Sequence, residues 1–584
     1  MKLRHTGAFI RAARAARISS PCPSHKLTPY PYTSSTCSRW SSTQATSSES
    51  SATPFPDQST PLPRQVDPEK TAAASTSAAK SSSGHQDARE KQLRQILLDL
   101  DQGNKIVNVS PGLSGAKILG KPYLFDATTN VSQSILDLVG RNLYANPNHP
   151  LSITRELIES CFASPTYNHY TVADPVVTVA DNFDVLGFPA DHPGRSRTDT
   201  YYINSSHLLR THTSAHQHDA FKALSTDPNG ATGYTICADV YRRDAIDRSH
   251  FPVFHQMEGA RIWGLPRLDP NVPKMDRYHH ERQRLFTIVN DIATIPVHEA
   301  RFSDQAASFY PDKNPMQLEH HPDEVNAVVR HLKRSLEHLT RTIFSAARAA
   351  SPSASTQPQS ELKGRWIEAY FPFTSPSFEL EVLYNGDWLE LLGSGVVQQP
   401  ILDNAGLRHH IAWAWGLGIE RFAMLLFNIP DIRLFWSTDP RFLNQFTRGK
   451  ITRFEPFSKY PACYKDISFW INPSPAASSP IHPDPSSSTG AAAAGGDATK
   501  ASPGETQPAA FHENDVMEVV RDVAGALAED VTLVDEFVNS SGRKSLCYRI
   551  NYRSLERTLT NDEVNTMHEQ VSRRLQHSLG VELR

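Results

Sequence analysis

The chain has 584 residues and a formal net charge of −3 at pH 7, so any contact with nucleic acid must come from local basic patches. Six cysteines without a C-x-x-C pair argue against a disulfide scaffold and against a zinc ribbon. Because no run of about 18 apolar residues occurs, the sequence predicts no membrane-spanning helix.

The amino-terminal segment differs in composition from the rest of the chain. The first 48 residues contain no Asp or Glu but seven Lys or Arg, and FIRAARAARISS can form a helix with its arginines on one side. This composition is typical of a mitochondrial transit peptide, which we predict over 1–48; a disordered tail with chance arginines is the alternative. Residues 49–90, mainly Ser, Thr, Ala and Pro, are predicted to be a disordered linker. An N-terminal extension follows over 91–148.

Helix and strand patterns alternate from residue 149 onward. Helical spacing covers 156–162 and 326–344, and strand patterns cover 238–244, 251–263, 364–373, 377–397 and 462–471. These strands form hairpins and a meander rather than βαβ units, with an Asn-Gly turn inside the longest one. This order predicts an α+β fold in which helices flank an antiparallel sheet. Two Ser- and Pro-rich stretches, 351–360 and 473–510, are predicted to be mobile, disordered insertions.

The last part of the chain has the pattern of a second, smaller unit. The strand at 462–471 is followed by a helix, two strands and a helix, over 513–530, 531–538, 544–554 and 560–580. This is the β-α-β-β-α-β order of a ferredoxin-like split βαβ fold. Thr560 and Glu563 predict a capping box at the last helix. Residues 540–584 contain eight Lys or Arg and five Asp or Glu. This surplus of basic residues is suited to phosphate contacts, although a solvated face would give the same count.

The stretch ADVYRRDAIDRSHFPVFHQMEG at 238–259 crowds polar side chains into a predicted hairpin. Because alternate residues of a strand face opposite sides, Arg242 is expected on one face of its strand, and Gln256 and Glu258 share a face on the return strand. A guanidinium can clamp a phosphate or carboxylate with two hydrogen bonds, and a carboxylate can receive a cationic amine. Taken one residue at a time, a solvated hairpin with surface ion pairs explains most of these charges equally well.

The ordered stretch VYRRDAIDRSHFPVFHQMEG resembles motif 2 of the class II aminoacyl-tRNA synthetases, in the form typical of phenylalanyl-tRNA synthetases. GIERFAM at 418–424 resembles motif 3, and HPLSITRELIESCF at 149–162 resembles motif 1. The resemblance implies that Arg242, Arg421 and His250 are the catalytic residues, which grip the phosphates of ATP. It implies that Glu390 holds Mg²⁺ through the nucleotide, and that the ATP-binding residues are Arg242, Ser249, His250, Phe251, Glu390 and Arg421.

The histidine-rich stretch LLRTHTSAHQH at 208–218 allows two interpretations. Its histidines could ligate zinc, but no H-E-x-x-H and no cysteine pattern accompanies them. THTSAHQ resembles instead the synthetase loop that meets the amino acid. By that resemblance the amino-acid site comprises His212, Ser214, Ala215, His216 and Gln217, together with Gln256, Met257 and Glu258 from motif 2.

A pair of phenylalanines in AYFPFTSPSFELEV points to the substrate side chain. Phe371 and Phe373 are two residues apart and are expected on one face of one strand. The pair resembles the Phe-Pro-Phe residues that pack edge to face against the substrate ring in phenylalanyl-tRNA synthetases, a contact worth about 0.5–1.5 kcal/mol beyond burial. Two ordinary core phenylalanines are the alternative. The resemblance also places Trp415 near the adenosine or the amino acid.

The resemblance covers most of the foldable chain, with a catalytic domain over 149–455 and a ferredoxin-fold anticodon-binding domain over 456–584. It implies an enzyme that activates L-phenylalanine with ATP and Mg²⁺ and transfers it to tRNA(Phe). A fused carboxy-terminal domain behind a transit peptide resembles the organelle type, a monomer in the mitochondrial matrix. Two alternatives stay open: a non-catalytic class II-like RNA-binding protein, and a synthetase for another amino acid such as tyrosine.

Overall fold

The computed structural model describes residues 60–61, 83–101, 103–110, 112–264, 274–297, 301–304, 307–350, 362–384, 386–456, 460–471 and 511–584. The predicted transit peptide, most of the predicted linker and the two predicted insertions at 351–360 and 473–510 lie outside these residues. No helix in the described part of the chain combines the length and the apolar character that a bilayer crossing requires.

Within these ranges the α-helices are, in chain order, α1 Ser83–Asp99, α2 Gln133–Leu136, α3 Pro150–Ser160, α4 Gln217–Ser225, α5 Lys274–Thr294, α6 Pro322–Ala349, α7 Gln399–Asn404, α8 Ile419–Phe427, α9 Pro440–Leu443, α10 Glu513–Ala524 and α11 Asn561–Leu579. The strands are β1 Thr60–Pro61, β2 Lys105–Ser110, β3 Leu113–Ile118, β4 Lys121–Leu124, β5 Tyr167–Thr171, β6 Val176–Thr178, β7 His207–Leu209, β8 Gly233–Tyr241, β9 Val253–Gly264, β10 Arg301–Ser303, β11 Lys363–Phe371, β12 Thr374–Tyr384, β13 Asp387–Val397, β14 His410–Gly418, β15 Cys463–Trp470, β16 Ala528–Val538, β17 Lys544–Tyr552 and β18 Glu582–Leu583.

The centre of the fold is a nine-stranded sheet in the order β1-β5-β8-β9-β14-β13-β12-β11-β10. The strands from β8 to β11 in this order run antiparallel to one another, whereas β1, β5 and β10 join the two edges in parallel pairings. The predicted α+β class with helices around an antiparallel sheet is confirmed, with the addition of parallel edges. Of the predicted Asn-Gly turn between β12 and β13, the described residue is Gly386, whose φ of +93° is strained for any residue with a Cβ.

Different elements cover the two faces of this sheet. Helices α3, α6 and α8 cover one face, which we call the core face and which contains Met257, Trp415 and Leu417. Helices α4 and α7 cover part of the opposite face, which we call the upper face, over a smaller apolar cluster. Register fixes this assignment, because Met257 pairs with Leu417 whereas Glu258 pairs with Gly416.

Helix α3, which contains most of the segment that resembles motif 1, is covered by its own chain. Seven of its eleven residues are buried, Arg155 among them. It packs against α6 and α8 rather than lying exposed at the surface. The chain therefore buries this helix without a second subunit.

The carboxy-terminal unit is a four-stranded antiparallel sheet in the order β16-β17-β15-β18, with α10 and α11 packed on one face. This is the predicted ferredoxin-like split βαβ fold. The predicted helix over 513–530 is too long, because α10 ends at Ala524 before Gly525, whose φ is +52°, and β16 begins at Ala528. The predicted capping box of Thr560 and Glu563 is confirmed at the start of α11.

The carboxy-terminal unit docks on the loop of the β8–β9 hairpin. Arg243 of this loop lies 3.0 Å from a carboxylate oxygen of Asp515, and the N–H of Val531 donates to the carbonyl oxygen of Ile246 at 3.0 Å. The side chain of Ile246 is buried in the apolar core of the carboxy-terminal unit. The outer side of the loop is therefore held by the second unit.

The variant Gly259→Ala tests the assignment of the core face. A Cβ at Gly259 would lie 2.7 Å from the buried ring of Trp415. We expect the free energy of unfolding to fall by about 1–3 kcal/mol, as in other overpacked cores, which urea or thermal denaturation measures. The control is Gly416→Ala on the facing strand, since a Cβ there meets nothing within 4 Å. Equal unfolding midpoints for the two variants would contradict the assignment.

Candidate functional site

Glu258 of β9 is an acidic centre on the upper face. Its carboxylate accepts hydrogen bonds from Ser214 Oγ at 2.6 Å, Thr213 Oγ1 at 3.2 Å and the Tyr234 hydroxyl at 3.3 Å. Burial raises the pKa of Glu258 to about 7, although these three hydroxyl donors lower it. A buried carboxyl that changes charge near neutral pH is suited to receive a cationic group from a ligand.

The loop 211–217 closes over this carboxylate and is held from two sides. Gln256, on the same strand face as Glu258, accepts the N–H of Thr213 on its Oε1 at 3.3 Å. From behind, the fully buried Arg210 donates to Nε2 of His216 at 3.0 Å. His216 was predicted to touch a substrate, but this bond uses one of its ring nitrogens to fix the loop.

His212 forms a wall of the pocket under the loop. Its ring stacks on Phe188, with centroids 5.5 Å apart and planes 5° apart, and lies 6.4 Å from Phe373. Burial, and then the charge of Arg242, lower the pKa of His212 to about 3, so the ring is neutral at pH 7. Neither ring nitrogen makes a hydrogen bond within the described part of the chain. A buried imidazole in this state can offer a donor or an acceptor to a ligand.

Phe371 and Phe373 stack on each other, with centroids 5.8 Å apart and planes 10° apart. Phe373 lies 6.0 Å from Phe188, and Phe371 covers Gly393, where a Cβ would lie 2.6 Å from the ring. The expectation that both lie on one strand is wrong, because β11 ends at Phe371 and Phe373 belongs to the turn before β12. The turn brings Phe373 beside His212 and stacks Phe371 on Phe373, and together these rings form an aromatic slot.

Two glycines of β14 leave space in front of the slot. Gly416 pairs with Glu258 and Gly418 pairs with Gln256 in the register of β14 with β9. A Cβ at either glycine would have no heavy atom within 4 Å. The upper face is therefore open directly beside the acidic centre, where a ligand needs room.

Two arginines from separate segments approach the same residue, Glu390. Arg242 donates from Nε to the carbonyl oxygen of Thr211 at 2.8 Å. Arg421, in the first turn of α8, donates from Nη1 to the carbonyl oxygen of Glu390 at 2.5 Å. Burial lowers the pKa of Arg242, and nearby carboxylates, Glu390 among them, oppose that shift. The structure therefore brings Arg242, Arg421 and Glu390 together.

A β-bulge directs Glu390 to the upper face. The register of β12 with β13 shifts by one residue between the pairs Leu380–Leu392 and Glu381–Glu390. Leu380 and Leu392 are buried in the core, whereas Glu390 and Glu381 lie close to Glu379. Burial, then Glu390 and Glu381, raise the pKa of Glu379 to about 7.

These carboxylates could hold a magnesium ion only with help from a ligand. In the described residues no three His, Cys, Asp or Glu side chains are placed as a ready metal site. Mg²⁺ is usually bound by one or two carboxylates together with phosphate oxygens of a nucleotide. Glu390, with Glu379 beside it, fits that pattern. Sequence reasoning missed Glu379, although the alternation in ELEV places it on the same face as Glu381.

The loop after β8 presents His250 close to Arg421. Asp247 organises this loop: its Oδ2 lies 2.7 Å from Nδ1 of His250, and its Oδ1 accepts the N–H groups of Ser249 and His250 at 2.6 and 2.8 Å. The hydrogen bond to Asp247 raises the pKa of His250, while burial and the charge of Arg421 lower it. The loop thus places an imidazole, whose charged form is favoured by Asp247, near Arg421.

Several predicted residues support the pocket from outside. Met257 and Trp415 lie on the core face, where Trp415 stacks on Phe162 at 5.1 Å, so neither side chain lines the slot. Strand alternation explains this, because their neighbours face the upper side. Ala215 is buried in the upper-face cluster, and Gln217 hydrogen-bonds the Tyr234 hydroxyl.

Other residues of the pocket were missed from the sequence. Asp247 has a recognisable signal, since an Asp two residues before a Ser commonly caps a turn. Nothing in the sequence marks Phe188, which reaches the slot from a distant segment. The residues in contact with the pocket that the sequence did not identify are Phe188, Thr213, Tyr234, Asp247 and Glu379.

Two family profiles match the chain. The family described as tRNA synthetases class II core domain (F) matches residues 134–263 and 317–446. These ranges include β8, β11, β12, β13 and β14, and all of β9 except its last residue. The family described as ferredoxin-fold anticodon binding domain matches residues 507–584, which cover α10 to β18.

Named relatives match over most of their own length. A Saccharomyces cerevisiae protein named phenylalanine–tRNA ligase, mitochondrial, is 43% identical over 488 residues, which cover 80% of this chain and 95% of that protein. A Mus musculus protein of the same name is 38% identical, covering 82% of this chain and 90% of that protein. An Arabidopsis thaliana protein named phenylalanine–tRNA ligase, chloroplastic/mitochondrial, is 37% identical over 464 residues, which cover 79% of this chain and 83% of that protein.

The variant Asp247→Asn tests the geometry of the His250 loop. Because the hydrogen bond to Asp247 is the largest cause of the raised His250 pKa, we expect the variant to lower that pKa. In the unchanged protein, the raised pKa stabilises the fold fully below the unfolded-state value and loses that effect as pH rises through the folded-state value. The variant should lose this contribution. An NMR titration of the His250 ring measures the shift.

The control for this titration is Asp191→Asn, which removes an exposed carboxylate elsewhere on the surface. Its His250 titration should match that of the unchanged protein. An identical His250 pKa in the unchanged protein and in Asp247→Asn would show that the loop does not have this arrangement in solution.

Proposed function

The chain belongs to the mitochondrial phenylalanine–tRNA ligases, a family of class II tRNA synthetases, and from this membership we infer that it joins L-phenylalanine to tRNA(Phe) for translation in mitochondria. In the first step the carboxylate of phenylalanine attacks the α-phosphorus of ATP. A bond forms between carboxylate oxygen and phosphorus, and the bond to the bridging oxygen breaks to release pyrophosphate. In the second step a terminal ribose hydroxyl of the tRNA attacks the acyl carbon and AMP leaves.

The main support for this proposal is that Arg242 and Glu258, which have opposite charges, bond different parts of the loop 211–217 beside the aromatic slot. Arg242 bonds the start of the loop at Thr211, and Glu258 bonds it three residues later at Ser214. His212, between them in sequence, faces the phenylalanine rings. A free amino acid has a carboxylate and an ammonium group on one carbon. In our proposal Glu258 receives the ammonium group, Arg242 receives the carboxylate, and the slot receives the ring.

Activation then depends on positioning and on neutralisation of phosphate charge. We propose that Arg242, Arg421 and His250 contact the triphosphate, with Ser249 and Phe251 supporting the loop. Glu390, with Glu379 beside it, is proposed to hold Mg²⁺, which when bound would neutralise charge on the phosphate oxygens. No protein nucleophile is required, since the substrate carboxylate is the attacking group and the protein fixes its direction.

Two finer assignments concern location and assembly. We propose the mitochondrial matrix as the compartment, because the acid-free, Arg-rich first 48 residues have the composition of an import signal. We propose that the protein acts as a monomer, because α3 is buried by its own chain.

The outer face of the carboxy-terminal sheet, opposite α10 and α11, is the proposed tRNA surface. Trp470 and Phe537 lie 6.1 Å apart there, and the Arg584 guanidinium is 5.5 and 5.6 Å from their ring centroids. Arg543 lies 5.6 Å from the Trp470 ring. Exposed aromatic rings beside guanidiniums can stack unpaired bases and contact phosphates. This surface therefore suits a single-stranded loop of RNA.

Exchange of pyrophosphate into ATP tests the proposed activity. We expect exchange that requires phenylalanine and a much lower kcat/KM with tyrosine. Arg242→Gln should lower kcat/KM by about 10²-fold or more, since it removes a preorganised charge at the reacting phosphate. The control is Arg557→Gln in the carboxy-terminal unit, which should not affect exchange. Exchange with tyrosine alone would overturn the specificity, and none with any amino acid would favour a non-catalytic RNA-binding protein.

Phe537→Ala tests the proposed tRNA surface. The Phe537 ring is 45% exposed, so its removal should leave folding and phenylalanine-dependent exchange unchanged. We expect the KM for tRNA in aminoacylation to rise about fivefold or more, because stacking contributes about 1–3 kcal/mol per base. The control is Val538→Ala, at a neighbouring residue that is 55% exposed and lies on the other face of the strand. The same KM for both variants would exclude this face.

A further inference from the structure

Glu420 and His255 form a buried pair between the two arginine-bearing segments. Both carboxylate oxygens of Glu420 lie 2.9 Å from the backbone nitrogen of His255, and Oε1 lies 2.6 Å from its Nδ1. The side chains are 4% and 1% exposed. Glu420 directly precedes Arg421 in α8, and His255 lies on β9 next to Phe254, whose ring the Arg242 guanidinium covers at 5.3 Å. The pair therefore connects the immediate neighbours of both arginines.

The pair completes a strand pairing that the chain interrupts. Strands β14 and β9 pair as far as Gly418 and Gln256, and β14 then turns into α8. The next donor along β9 is the N–H of His255. Because β14 has already turned into α8, it offers this N–H no carbonyl oxygen. Without another acceptor, the N–H of His255 would be a buried donor with no partner. The Glu420 carboxylate accepts that N–H and the ring N–H together. A side chain thus continues the ladder and fixes where α8 begins.

The His255 ring also connects the pair to the loop of the β8–β9 hairpin, which contains His250. One face of His255 stacks on Trp436 at 5.6 Å with planes 23° apart, and Phe251 stacks on Trp436 at 5.4 Å with planes 25° apart. The edge of Tyr144 meets the same histidine ring at 5.6 Å. Phe251 directly follows His250. A continuous series of contacts, from Glu420 through His255 and Trp436 to Phe251, therefore connects α8 to the loop of the β8–β9 hairpin.

We propose that Glu420 is a positioning residue that fixes the Arg421 helix to β9 of the hairpin that carries Arg242, and so sets the spacing of the two guanidiniums on the triphosphate. This inference rests on the proposed function, in which those arginines bind ATP. Glu420 touches neither substrate. Its role differs from a general contribution to stability, because the amino-acid side of the pocket is held by other contacts. Glu258 is fixed by Ser214, Thr213 and Tyr234, and none of them touches Glu420.

The variant Glu420→Gln separates the two roles. A glutamine has one acceptor oxygen instead of two, and its NH₂ group would face a hydrogen-bond donor of His255. In pyrophosphate exchange we expect kcat/KM for ATP to fall by about tenfold or more, as for loss of a charge-assisted hydrogen bond. The KM for phenylalanine should change less than about twofold, since its proposed contacts are intact. The split between the two substrates is the readout.

Glu324→Gln is the matched control. Glu324 is also a buried carboxylate, 3% exposed, and it pairs with Arg284 between α5 and α6, away from the pocket. A general loss of stability would appear in both variants as a lower unfolding midpoint, but only Glu420→Gln should change the ATP kinetics. Equal effects on ATP from both variants, or equal effects of Glu420→Gln on ATP and phenylalanine, would overturn the proposal.

A second pair of variants decides the question even if Glu420→Gln does not fold. His255→Asn keeps an N–H donor near the position of Nδ1, whereas His255→Leu removes it, and both lose the ring that stacks on Trp436. The proposal expects His255→Asn to keep more of the ATP-dependent kcat/KM than His255→Leu. Equal values would contradict it. Absence of phenylalanine-dependent exchange in the unchanged protein would instead contradict the proposed function.

Discussion

The register between β9 and β14 is the constraint on which the site depends. With Glu258 opposite Gly416 and Met257 opposite Leu417, one strand face has polar groups beside open space and the other has the packed core. A slip of one residue would exchange the two sets, burying Glu258 among leucines and exposing Met257. Helices α3, α6 and α8 bury the apolar face of the sheet, and this burial stabilises the observed register over a shifted one. The same register places the polar groups of the pocket on the opposite face.

Charge inside the pocket is balanced in two separate groups. Glu258 has hydroxyl partners and a pKa raised to about 7, so it is only partly ionised at neutral pH before a cation arrives. Arg242 keeps its charge near Asp244, Glu390 and Asp199 although burial lowers its pKa. The neutral His212 lies between these groups, with a pKa of about 3. Glu258 is bonded by the Ser214 hydroxyl and Arg242 by the carbonyl oxygen of Thr211, so the two opposite charges lie at separate contacts on one loop, an arrangement suited to a zwitterionic ligand.

Regular geometry was predictable from the sequence and irregular geometry was not. Alternation along a strand is enough to place Gln256 and Glu258 together, and the same rule places Met257 on the opposite face, where the structure has it. The resemblance to motif 2 made Met257 a predicted substrate contact, although strand alternation places its side chain away from the pocket. The direction of Glu390 depends on a bulge that no glycine or proline marks. A turn supplies Phe373 and a distant segment supplies Phe188, and strand alternation predicts neither of these positions.

The hairpin loop that carries His250 obtains its shape from two units of the chain. On its inner side Asp247 gathers the N–H groups of Ser249 and His250. On its outer side Ile246 is buried in the carboxy-terminal core, and Arg248 lies 3.3 Å from Glu529 of β16. A loop of this length has little core of its own, so its order depends on surfaces that it can bury elsewhere. The geometry offered to phosphate groups is therefore a joint property of the synthetase core and the ferredoxin-like unit, and neither unit alone accounts for it.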